Sequence, residues 1–126
     1  MKRGFTMIEM VFVIVVIGIL SAIAIPKFAM TRNDAIVTKA KTTIAALRSA
    51  IGMEHQKQIL RGDFNDINLS TAIGLLDYGL DSERWSTDTA NNTLTFTAPD
   101  GKTCVFKLQN NRLTKQTCAV EGLNDL

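Results

Sequence analysis

Few residues in this chain are of a type and spacing that could do chemistry. His55 is the only histidine, and no second His, Cys cluster or Ser-His-Asp spacing accompanies it. It reads as a boundary residue of a helix, not as a base or a ligand. Asp77, Asp81, Glu83 and Asp88 could offer oxygens to calcium, but their spacing does not match an EF-hand loop. A solvated acidic loop is the plainer reading, so no metal or other cofactor is expected. Cys104 and Cys118 are the two cysteines, without a C-x-x-C spacing or a second pair for zinc. If this region is exported, a single disulfide follows. What remains is Glu9, a carboxylate set just inside a long apolar run.

That run positions everything else. Residues 10–25 carry no charge, and going back to Phe5 adds Glu9 as the only exception. At ~1.5 Å per residue a helix over 5–25 is roughly 31 Å long, one hydrocarbon core. Burying Glu9 costs about 2.5–3.5 kcal/mol on insertion scales. Val11, Phe12, Val13, Ile14, Val15, Val16, Ile17, Ile19, Leu20, Ile23 and Ile25 offset it with about 0.3–0.6 kcal/mol each. Insertion therefore survives the charge. Lys2 and Arg3 lie ahead of the run, which puts the N-terminus in the cytoplasm and the rest across the membrane.

Glu9 has two readings. Close to the helix start, it can stay among the headgroups and complement the helix dipole. Alternatively it is an intramembrane carboxylate with a function and a partner. The segment as a whole also has a second reading, a secretory signal cut after Ala22-Ile23-Ala24. That would leave a small secreted binding domain. A disposable signal, however, has no reason to carry Glu9.

Lys2-Arg3-Gly4, then Phe5-Thr6-Met7-Ile8-Glu9, then the apolar run, resembles the N-terminus of the type IV pilin and type II secretion pseudopilin superfamily. The resemblance implies a leader over 1–4, cut by a prepilin peptidase between Gly4 and Phe5, with N-methylation of Phe5. Glu9 then occupies the family's glutamate position, where it is expected to meet the Phe5 amine of a neighbouring subunit during assembly. Pairing lowers the penalty on both charges and penalises misaligned docking. Gly18 and Pro26 fall where the family's helix loosens or kinks. The partners implied are the peptidase, other copies, related minor pilins or pseudopilins, and an inner-membrane assembly platform.

Beyond the transmembrane and assembly segment 5–26 lies an exported head, 27–126. Pro26 predicts a kink, or the first residue of a new helix. Ile36, Ala40, Ile44, Leu47 and Ile51 recur at helical spacing, predicting an amphipathic helix over about 27–61 that stops near Gly62. Lys39, Lys41 and Arg48 lie off that stripe and read as a solvated face. The whole chain has 14 basic and 12 acidic residues; without Lys2 and Arg3 they balance at 12 each, which gives no argument for a nucleic-acid partner.

Residues 62–92 read as a loop with one short helix at about 70–76, and Tyr78 and Trp85 as covers for the core. Alternating residues over about 93–120 predict three antiparallel strands with a turn at Pro99-Asp100-Gly101. Aligning Cys104 with Cys118 there puts Leu108 opposite Thr114, not Leu113.

The expected fold is α+β and pilin-like, a long helix packed on a small antiparallel sheet. The expected function is non-enzymatic. The chain would be a filament subunit serving protein secretion, DNA uptake or adhesion, held by one span in the bacterial inner membrane with its head in the periplasm until assembly.

Overall fold

The computed structural model describes residues 3–126; Met1 and Lys2, half of the expected leader, lie outside the described residues. Helix α1 is Met7–Leu60 and α2 is Leu69–Gly74; strands β1 (Trp85–Asp88), β2 (Thr93–Thr97), β3 (Thr103–Gln109) and β4 (Arg112–Cys118) follow. The strands form one sheet in the order β1-β2-β3-β4, every neighbouring pair antiparallel. The fold is α+β with the pilin-like sequence of long helix and small sheet. The chain divides into a first unit ending at Asp34 and a second, Ala35–Leu126.

In the first unit α1 is apolar and bare. Residues 3–28 are all exposed, and the helix is long and apolar enough to cross a membrane. Helical structure passes through both Gly18 and Pro26. Pro26 therefore does not open a new helix, although its missing N–H cannot serve the carbonyl of Ala22. The helix ends where Gly62 takes φ +78°, a conformation glycine adopts without steric cost. There the N–H of Gly62 donates to the Ile59 carbonyl and that of Asp63 to Gln58, satisfying carbonyls of the last turn.

The second unit has its own core. On α1, Ala40, Ile44, Leu47 and Ile51 are buried and Ile36 and Val37 are half-buried, as their spacing predicts. Leu94 and Phe96 of β2, and Cys104, Phe106 and Leu108 of β3, alternate with more exposed neighbours and join the same core. Each fully buried Ile, Leu or Phe among them contributes about 1.5–3 kcal/mol by leaving water. Among the described residues no polar or charged side chain is fully buried.

One inner row runs across the whole sheet: Trp85 faces Phe96, Phe96 faces Cys104, and Cys104 faces Cys118. The Trp85 and Phe96 rings lie 4.9 Å apart. Cys104 and Cys118 are joined by a disulfide across the β3–β4 hairpin, with a sequence separation of 14. Closing a loop of that size removes about 3 kcal/mol of entropy from the unfolded chain.

Several expectations need correction. The stretch 62–92 is not only loop and helix: β1 lies inside it, so the sheet has four strands, not three. Ser86, Thr87 and Asp88 face solvent, leaving β1 without the apolar alternation that marks a strand. The short helix expected at about 70–76 is present as Leu69–Gly74, with Leu69 and Ala72 buried. Tyr78 covers nothing; it is fully exposed, whereas Trp85 is buried. Finally, Cys104 opposite Cys118 coexists with Leu108 opposite Leu113, because a bulge lies between. Val105 pairs with Thr117 but Phe106 with Lys115, so Gln116 is the extra residue.

Arg48 corrects the reading of the helix's basic face. It is half-buried, its Nε donating to the Leu113 carbonyl (3.2 Å) and an Nη to the Leu126 backbone oxygen (3.1 Å). β4 is an edge strand, and Arg48 occupies one of its outward carbonyls. Nearby Lys41 pairs with Asp125 at 3.1 Å, and Lys115 donates to the Asn124 carbonyl. The Lys41 hydrogen bond, chiefly, holds the Asp125 carboxyl below its ordinary range.

A depressed carboxyl favours the folded state above its unfolded pKa, and that contribution is lost as pH falls through the lower folded value. In an NMR titration the Asp125 midpoint is expected below the usual carboxylate range, rising toward it in Lys41→Ala. An unchanged midpoint in that variant would remove Lys41 as the cause.

Candidate functional site

The N-terminal end of α1 gathers the residues that the sequence marks. Residues 3–6 precede the helix without regular structure and are exposed, so the Gly4–Phe5 peptide is open to an enzyme. Phe5 itself is exposed, with nothing of the described chain covering it. Helix geometry begins one residue after Thr6.

Glu9 lies in the first turn. Its backbone N–H donates to Thr6 Oγ1 (3.3 Å), and its Oε2 accepts from the Thr6 backbone N–H (3.4 Å). This reciprocal pair is a capping box, and it satisfies two amide donors that the helix start would otherwise leave open. The carboxylate also sits at the positive end of the helix dipole. Two stabilising contacts thus reduce the cost of a charge in an apolar segment. Thr6 is not among the residues expected from the sequence, although its signal, a threonine three residues ahead of a glutamate before an apolar run, is plain in Thr6-Met7-Ile8-Glu9.

The remaining candidates stay apart. Asp81 Oδ1 accepts from the backbone N–H of Glu83. Asp88 Oδ1 accepts from the N–H groups of Ala90 and Asn91, and its Oδ2 from the Asn91 amide. The Asn91 side chain above all, then its backbone N–H, holds the Asp88 carboxyl below the usual carboxylate range. These acids close turns, and among the described residues no three His, Cys, Asp or Glu side chains gather as a metal site would need. His55 Nδ1 lies 3.0 Å from the Asn111 amide nitrogen, whose own Oδ1 accepts from the Ile67 N–H at 2.6 Å. Asn110 and Asn111 take φ +51° and +58° in the two-residue β3–β4 turn, a type I′ signature. His55 thus braces a hairpin.

Residues 1–25 match the family described as the prokaryotic N-terminal methylation motif. The N-terminal segment is of the prepilin type. Relatives extend the likeness further along the chain. The type IV narrow pilus major component PilA5 of Thermus thermophilus is 50% identical over 48 residues, 38% of this chain and 41% of that protein. The type IV major pilin protein PilA of Myxococcus xanthus is 48% identical over 49 residues, 39% of this chain and 22% of that one. The type II secretion system core protein G of Pseudomonas aeruginosa is 42% identical over 52 residues, 41% and 37% of the respective chains. The matched prepilin-type stretch thus spans less than half the length of each of these relatives. No solved structure gives a significant match.

Proposed function

We propose that the chain is a non-enzymatic structural subunit of a type IV pilus-like or type II secretion-type filament. Residues 1–4 are its leader. A prepilin peptidase cuts between Gly4 and Phe5, Phe5 is N-methylated, and segment 5–26 holds the subunit in the inner membrane with head 27–126 on the periplasmic side. On assembly the apolar helices bundle, Glu9 of one subunit meets the Phe5 amine of another, and Gly18 and Pro26 are the points where the helix yields. Other copies, minor pilins or pseudopilins and an assembly platform are its partners. Protein secretion, DNA uptake or adhesion is the service it performs, and a deletion strain assayed for each would separate them.

One observation carries this reading. The prepilin-type motif over residues 1–25 falls in register with the exposed Gly4–Phe5 bond, the capped Glu9 and a helix that continues into a pilin-like head. The test is intact mass with N-terminal fragmentation of the protein from native membranes. The expected species starts at N-methylated Phe5. A chain starting at Ile25 would overturn the proposal and leave a secreted binding domain without Glu9.

A further inference from the structure

The apolar surface of the first unit does not stop where the uncharged run stops. Phe28 and Met30 are exposed (76% and 69%), interleaved with exposed Lys27 and Arg32. No acid occurs between Glu9 and Asp34, and Asp34 already has an interaction within the chain. The segment just past the membrane-length run therefore combines two cations with two large apolar side chains.

Their order around the helix matters. At 3.6 residues per turn, Phe28, Met30 and Arg32 lie about 100°, 300° and 140° around the axis from Lys27. Cations and apolar groups ring the helix instead of dividing it into two faces. A helix lying flat on a membrane needs two faces. A ring suits a helix that crosses the headgroup layer steeply.

The axial distances agree. Met7 to Ile25 rises about 27 Å, close to the hydrocarbon thickness, and Lys27 and Arg32 follow about 3 and 10 Å further on. Helical side chains lean toward the N-terminus, here back toward the membrane, so the long Arg32 stem can return its guanidinium to phosphate depth. Phe28 and Met30 then meet the upper acyl chains.

We infer that residues 26–32 form a collar that binds anionic phospholipid headgroups of the exit-side leaflet, with Lys27 and Arg32 as the phosphate-binding groups. The inference rests on the membrane reading of the first unit. It adds a consequence to leader removal: once Lys2 and Arg3 are gone, this collar holds the only basic side chains flanking the span. The processed subunit is then anchored by charge chiefly on the side toward which it must leave, and lipid charge sets how firmly.

Each cation near an anionic surface is worth about a fivefold preference at low salt. The test places the full-length chain carrying Lys2→Gln/Arg3→Gln, so that the collar holds the only basic side chains flanking the span, in phosphatidylcholine vesicles with trace spin-labelled phosphatidylglycerol or phosphatidylcholine, and compares how much of each label the protein immobilises. Expected is a phosphatidylglycerol preference of at least about fivefold, which falls in molar salt and largely disappears in Lys27→Gln/Arg32→Gln. A membrane-integrated protein whose preference survives the double substitution, or that shows none, would overturn the collar. Protein washed from the vesicles by alkaline carbonate would instead overturn the membrane reading beneath it.

Discussion

Phe106→Ala is expected to lower the unfolding free energy of the head by about 3–5 kcal/mol. Phe106 is 0% exposed, stands opposite Leu94 on β2, and shares a core with Ile44, Leu47 and Ile51 of α1. Removing its ring deletes contacts on both layers, and a small sheet beneath one helix has little freedom to close the cavity. A domain of this size has only about 5–15 kcal/mol in total, so one side chain accounts for a large share. The reporter is built in, since Trp85 is the single tryptophan and packs on Phe96. Urea unfolding of the full chain in detergent, followed by Trp85 fluorescence, gives the difference directly. Tyr78→Ala, at a fully exposed position, is the control and should change stability by no more than about 0.5 kcal/mol. A loss below about 1 kcal/mol for Phe106→Ala would mean that helix and sheet do not share the core described.

What was legible in the sequence follows from which physical signals are local. The apolar run is legible by its length and lack of charge, whereas the Ile36, Ala40, Ile44, Leu47, Ile51 stripe is periodic because burial writes the helical period directly. β2 and β3 alternate for the same reason. β1 does not, since only Trp85 of its four residues is buried and its pairing depends on β2 being present already. The bulge at Gln116 was invisible for a related reason: it reconciles two pairings, Cys104 with Cys118 and Leu108 with Leu113, that a regular ladder makes exclusive. Arg48 looked like a solvated cation because helical spacing says which face a residue is on, but not that an edge strand and the Leu126 oxygen lie within reach of its side chain. At the N-terminus the opposite happened. The Thr6–Glu9 capping box is wholly local, yet the charge of Glu9 in an apolar run masks its pairing with Thr6.

That capping box sharpens the test of Glu9. In the proposed filament the carboxylate has two separable roles: its side-chain oxygen accepts the Thr6 N–H within one subunit, and its charge meets the Phe5 amine of another. Glu9→Ala removes both. Glu9→Gln keeps an oxygen that can complete the capping box while removing the charge, because glutamine serves at that position as glutamate does. Thr6→Ala keeps the charge and removes only the hydroxyl, at a cost of about 1 kcal/mol to the helix start. Leaving one partner of a buried ion pair unpaired costs about 3–5 kcal/mol, far more than the cap. Both Glu9 variants are therefore expected to be inserted and cut normally, as read by N-terminal mass, yet to yield few or no filaments by shearing and immunoblot. Thr6→Ala should stay much closer to wild type. Filament yield that is normal in Glu9→Gln but lost in Glu9→Ala and Thr6→Ala would assign the residue to helix capping alone. The charge would then have no part in assembly.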